Sequence, residues 1–258
     1  MTPDTIEQPN ERDTRLLWAG LFLSVAVFLK VPAIDLWVSA RYWRPDLGFF
    51  QRNDPVVLAL YDWTPIIGNS LVALMVLLAL LAPWLARHAA SAGHEALAQK
   101  LRGTWRRTAI AGICVAALSS GVIIELGLKK TIGRPRPVQT IEFGGTQPFH
   151  AAFEPGSNPA QHKSFPSGHA AAGFSLMMLG MFASPAWRRR WFMIGVLAGT
   201  AVGMARIMQG GHYLSDIVFS FHSVWLSCEL VAFAFRRYDL SRLPAHHPDR
   251  IGPRRAIR

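Results

Sequence analysis

His212 and Asp216 stand four residues apart, a spacing that can make a reactive imidazole. Side chains at i and i+4 on one helix are neighbours. A carboxylate so placed accepts the Nδ1 proton, fixes the tautomer and leaves Nε2 as a lone-pair nucleophile. Gly210-Gly211 just before the pair permits close approach of backbone to a ligand. A second cluster is Ser164-Phe165-Pro166-Ser167-Gly168-His169. Read as a helix start, it offers free N–H groups and the positive end of a helix dipole to a phosphate. Ser167 adds a hydroxyl donor, and His169 can protonate a leaving alkoxide. A third cluster runs from Lys129 through Arg134 and Arg136 to Pro137, and Arg206 stands six residues before His212. Arginine binds phosphate oxygens through a planar fork, lysine as a point charge. Each cluster alone has a plain explanation: a surface pair, a helix N-cap, or a basic flank snorkelling from a membrane helix. Together they hold what phosphoryl transfer needs: a nucleophile, an acid and cations for the equatorial oxygens.

Those clusters must be held by something, and the composition says what. The chain has 258 residues, 51% of them hydrophobic and 17% charged. Soluble domains carry about 25% charged residues. Six apolar stretches approach the ~20 residues that cross a bilayer: Leu16 to Leu36, Pro65 to Ala86, Thr108 to Leu128, His169 to Ser184, Trp191 to Ala205, and Leu214 to Phe235. The expected fold is all-α, a polytopic six-helix membrane bundle over 16–235, with tails at 1–15 and 236–258. The net charge of +11 does not indicate nucleic acid, because the basic residues flank apolar runs or lie in the last segment. With both termini inside, inner connections hold 17 Lys and Arg and outer ones 9. The positive-inside bias therefore puts all three polar clusters at the outer face. Residues 1–15 do not read as a removable signal peptide. Cys114 and Cys228 lie inside apolar runs and read as buried small residues, so neither a disulfide framework nor a metal site is expected. Glu125, Glu229 and His222 are taken as packing or boundary residues.

The three clusters, in order, resemble the signature of the type 2 phosphatidic acid phosphatase superfamily. Lys129, six residues, then Arg136-Pro137 is similar to its first part. Pro166-Ser167-Gly168-His169 matches the second, and Arg206, five residues, His212, three residues, Asp216 matches the third. Ala205 stands where the family usually has serine before the arginine. The resemblance implies that His212 attacks phosphorus, Asp216 orients it and His169 protonates the leaving oxygen. Lys129, Arg136, Arg206, Ser167 and the Gly168 amide would bind the phosphate. It also implies that no metal or other cofactor is needed and that vanadate inhibits. Phe143-Gly144-Gly145 and Gln209-Gly210-Gly211-His212 are similar to the lipid A phosphatase branch. That places the chain in a bacterial inner membrane with its site facing the periplasm. Undecaprenyl pyrophosphate, phosphatidylglycerophosphate and phosphatidic acid stay open as substrates. A phosphotransferase using the same phosphohistidine, or a lipid transporter, stay open as alternatives. The 28 residues from Val138 to Phe165 are long for a connector. Their phenylalanines and glycines fit either a lid dipping into lipid or a packed outer loop.

Overall fold

The computed structural model describes residues 11–156 and 158–242. Most of the two expected tails, 1–15 and 236–258, lies outside the described residues. Helices dominate: α1 Glu11–Lys30, α2 Ala33–Ala40, α3 Pro55–Ser91, α4 Glu95–Lys100, α5 Arg106–Ala116, α6 Lys129–Ile132, α7 Gly168–Phe174, α8 Pro185–Met208 and α9 Leu214–Arg242. Wider π-type turns follow: Ala117–Leu128 joins α5 to α6 as one continuous helix, while Leu101–Trp105 holds a kink at Gly103 between α4 and α5. One small exception to all-α is a two-stranded antiparallel hairpin, β1 Trp43–Arg44 with β2 Gly48–Phe49.

Four of these helical segments are long and apolar enough to cross a membrane: Pro55–Ser91, Glu95–Gln139, Pro185–Met208 and Leu214–Arg242. The bent pair α1 and α2 makes a fifth if counted as one span. The expected first span therefore does not run straight to Leu36. It breaks by 85° after Lys30. Pro32 cannot donate a helix hydrogen bond, and Asp35 is drawn into a buried ion pair described below. The expected fourth span, 169–184, is shorter than a bilayer needs. It consists of α7 and a 3₁₀ stretch, Ser175–Gly180, before Pro185 opens α8.

The second span starts ten residues earlier than its apolar pattern suggests. Asp54 caps α3 by accepting the N–H groups of Val56 and Val57 at 2.9 and 3.2 Å, and Pro55 sits where a missing N–H costs nothing. The result is that residues 55–64 are helix rather than connector, which carries Tyr61 to the site. Arg188-Arg189-Arg190 likewise lie on the first turns of α8.

The main core is formed by α3, α5, α7, α8 and α9 around Met75, Val115, Phe174, Met178, Ile207 and Val224. Small residues set its spacing. A side chain at Gly173 would collide with the backbone of Gly199, so α7 and α8 touch main chain to main chain. The described residues of the 138–165 segment pack their phenylalanine rings against the helices and the hairpin. Phe143 lies against Trp43 and Phe49, Phe149 against Tyr213, and Phe153 against Phe165 and Phe219, with ring centroids 4.7–5.8 Å apart.

Candidate active site

His212 lies in the five-residue step, 209–213, between α8 and α9, with Asp216 in the first turn of α9. The pair is therefore not stacked along one helix, as its spacing suggests. It is closed by the helix start. The Asp216 carboxylate reaches back to accept the Tyr213 N–H at 2.9 Å, in the manner of a capping residue. The same oxygen faces His212 Nδ1 at 3.2 Å and accepts the Ser164 hydroxyl at 2.5 Å. An ionised carboxylate can only accept, so Nδ1 carries the proton and Nε2 keeps its lone pair.

The other Asp216 oxygen accepts Arg134 Nη1 at 2.7 Å. Arg134 is buried, and its second arm donates to Asp35 Oδ2 at 2.8 Å. Its Nε donates to the His150 carbonyl at 2.9 Å. Ser215 closes the ring. It donates its N–H and its hydroxyl to Asp35 at 2.8 and 2.5 Å, and accepts from Arg134 at 2.7 Å. The broken helix at Pro32 thus exists to deliver Asp35 to this network. The guanidinium also lies flat over the Tyr213 ring, 4.2 Å from its centroid.

Burial drives the His212 imidazole down to about 4, helped by the Arg206 and Arg136 cations and opposed by Asp216. The His212 imidazole is therefore neutral at physiological pH. Neutral imidazole is the competent form of His212, so the contribution of this group to activity is lost as pH falls through its pKa. We expect the acid limb of kcat/KM, which reports the free enzyme, to fall near pH 4 rather than near the ordinary histidine value of about 6.5. Arg136→Gln removes one opposing cation and shifts that limb upward. A limb that stays in place in this variant would separate Arg136 from His212.

The expected phosphate ligands converge. Lys129 opens α6 and pairs with Glu125 one turn before it, so Glu125 packs against an expected site residue. A Cβ on Gly168 would sit 3.5 Å from Lys129 Nζ, which places the ammonium at the start of α7. Arg206, in the last turn of α8, donates to Gln209, while its Nε is buried and finds no partner among the described residues. Gly211 makes room for this guanidinium, since a side chain there would meet Nη2 at 2.4 Å. Its glycine thus serves Arg206 as well as any ligand. Arg136 is exposed and acts electrostatically on His212 and on His169. Ser167 caps α7, its hydroxyl oxygen accepting the Ala170 N–H at 3.3 Å, and its own proton is left to give. Gly168 is the first residue of that helix, where N–H groups have no partner within the helix.

Tyr61 was not among the expected site residues. It stacks on His169 with centroids 4.8 Å apart and planes 13° apart. Arg206 lies 4.5 Å over the same ring. One tyrosine thus spaces the acid from a cation. Replacing Tyr61 by leucine should lower kcat by roughly tenfold through misplacement of His169, while Tyr61→Phe keeps the ring and stays near wild type. Equal losses in both would place the effect on the hydroxyl instead.

A family model of the PAP2 superfamily matches residues 105–239, just over half of the chain. The chain belongs to the PAP2 superfamily. The PAP2 match contains Lys129, Arg136, Ser167, Gly168, His169, Arg206, His212 and Asp216. It leaves out Asp35 and Tyr61. Among curated proteins, the lipid A 4'-phosphatase of Francisella tularensis subsp. novicida (strain U112) is 32% identical over 124 residues, which is 47% of this chain and 56% of that protein. The lipid A 4'-phosphatase of Rhizobium leguminosarum is 36% identical over 115 residues, 44% of this chain and 46% of that protein. A lipid A 1-phosphatase of Rhizobium johnstonii is 31% identical over 122 residues, 47% of this chain and 46% of that protein. The chain spans about half the length of the curated relatives it matches. No solved structure matches it. These relatives agree with the branch that the Phe-Gly-Gly and Gln-Gly-Gly-His segments resemble.

Proposed function

We propose that this PAP2 protein is a membrane lipid phosphatase that works through a phosphohistidine on His212. The observation that carries the reading is the buried His212–Asp216 pair, with a free imidazole nitrogen, among Lys129, Arg136 and Arg206. In the first step His212 Nε2 bonds to phosphorus as the P–O bond to the lipid breaks. His169, in its protonated form, gives its proton to the departing oxygen and is left neutral. In the second step His169 takes a proton from water, whose oxygen bonds to phosphorus, and the P–N bond breaks to release phosphate and free His212. Asp216 holds the imidazole and balances the positive charge it gains on attack. Lys129, Arg136 and Arg206 neutralise the equatorial oxygens, and the unpartnered Arg206 Nε is a donor that a phosphate oxygen would satisfy. The Ser167 hydroxyl and Gly168 amide complete the cradle.

The reading extends to six passes over 16–235 in a bacterial inner membrane, short tails at 1–15 and 236–258, and a site facing the periplasm. The positive-inside bias supports that orientation. The lipid A phosphatase names among the relatives make a phosphate of lipid A the leading substrate. Undecaprenyl pyrophosphate and phosphatidyl phosphates are the next to test. The test is phosphate release by the purified protein from a panel of these lipids, in EDTA and without added metal. We expect release from at least one, stopped by vanadate. Silence on every lipid overturns the reading.

A further inference from the structure

Directly below the cation cluster a trough of about 600 Å³ opens between α3, α7 and α8. Ligand cavities usually fall between about 300 and 1,000 Å³. Its walls continue the elements that carry the site. Arg206 is one turn beyond Val202, His169 one turn before Gly173, and Tyr61 follows Leu60. No charged side chain lines it. The hydroxyl of Thr64 is turned away, to the Leu60 carbonyl at 2.5 Å. Below Tyr61 the α3 wall runs to Leu71, roughly 15 Å of helix at ~1.5 Å per residue. That matches the depth of one leaflet, about half of a ~30 Å hydrocarbon core. The floor is lined by small residues. Ala59, Ala201 and Ala172 leave it hollow, and a Cβ on Gly68 would already reach Ala172 at 3.5 Å. Bulkier residues here would make an ordinary lipid-facing helix surface. Small ones make a recess whose upper end is Tyr61, His169 and Arg206.

We propose that this trough seats one acyl chain of the phospholipid whose phosphate enters the cluster above it. The proposal rests on the lipid phosphatase reading and adds where the substrate's tail lies. A chain held there fixes how deep the headgroup sits, so the trough selects acylated phosphates over soluble ones. Burying the chain in a recess of fixed shape also lets Ala59 on α3 and Ala201 on α8, which both line it, set its permitted girth.

The experiment fills the trough from either wall with Ala59→Trp or Ala201→Trp. Both positions are exposed and neither belongs to the expected phosphate site. Rates are measured on dipalmitoyl phosphatidic acid and lipid A in phosphatidylcholine vesicles, and on the soluble ester p-nitrophenyl phosphate. Either plug should lower kcat/KM for the long-chain lipid by at least ~10-fold, with the soluble ester within about twofold. Equal losses on both, or unchanged use of the lipid, overturn the proposal. A second readout does not need turnover. Native mass spectrometry of His212→Ala protein mixed with dipalmitoyl phosphatidic acid should show bound lipid, and either plug should reduce it. Lipid binding that ignores both plugs overturns the trough. Plug-sensitive binding by a wild type that cleaves nothing overturns only the phosphatase reading.

Discussion

His212→Ala should lower the rate of phosphate release by about 10⁴-fold or more, the scale on which loss of a covalent nucleophile is felt. No neighbouring group can take over. His169 is stacked flat on Tyr61 and is needed as the acid. Lys129 is tied to Glu125. The variant should still fold, because Asp216 keeps its bonds to Ser164, Tyr213 and Arg134 when the imidazole is gone. Initial rates, together with quenching on labelled substrate to trap an acid-labile phosphoenzyme, measure the effect. Wild type should trap label and the variant should not. A variant that keeps more than about a tenth of the rate would move the nucleophile elsewhere.

Arg134→Ala should be the most destabilising single change in the site. Both its partners, Asp35 and Asp216, are fully buried, and the guanidinium binds each with one arm. Removing one partner of a buried ion pair costs about 3–5 kcal/mol, because a charge is left without compensation. Here two carboxylates are left. The expected fall in Tm, on the order of 10 °C, is read by thermal unfolding in detergent. Arg134→Lys should not rescue it, since an ammonium cannot fork to two carboxylates. Adding Asp35→Asn should recover part of the loss by removing one stranded charge, a non-additivity that neighbours in one network show. Strict additivity of the two changes would argue against the shared network.

The residues proposed to touch phosphate were legible in the sequence because chemistry dictates their types and spacings. His212 with Asp216, Ser167-Gly168-His169, and Lys129 with Arg136 are local patterns, each readable within ten residues. The membrane class was equally legible, because apolar length is a property of a segment alone. What holds those residues was not. Asp35 and Arg134 are 99 positions apart, and their pairing depends on how α2 folds against α9. Asp35 falls inside the expected first span, Leu16 to Leu36, with no local pattern to mark its partner, although an acid in such a run is a default candidate for function. Tyr61 falls before Pro65, where the expected second span begins, because hydropathy does not register the Asp54 cap. The alternatives for the 138–165 loop were undecidable from composition, because phenylalanine suits lipid and protein interior alike. Only the tertiary structure sets its rings against Trp43, Phe49 and Tyr213. Sequence by itself determined the chemistry and the solvent of this chain, since both follow from residue type and segment length. Tertiary structure decided the bend at Pro32, the buried Asp35–Arg134–Asp216 charges and the trough below the site, since each needs surfaces from segments far apart in the chain.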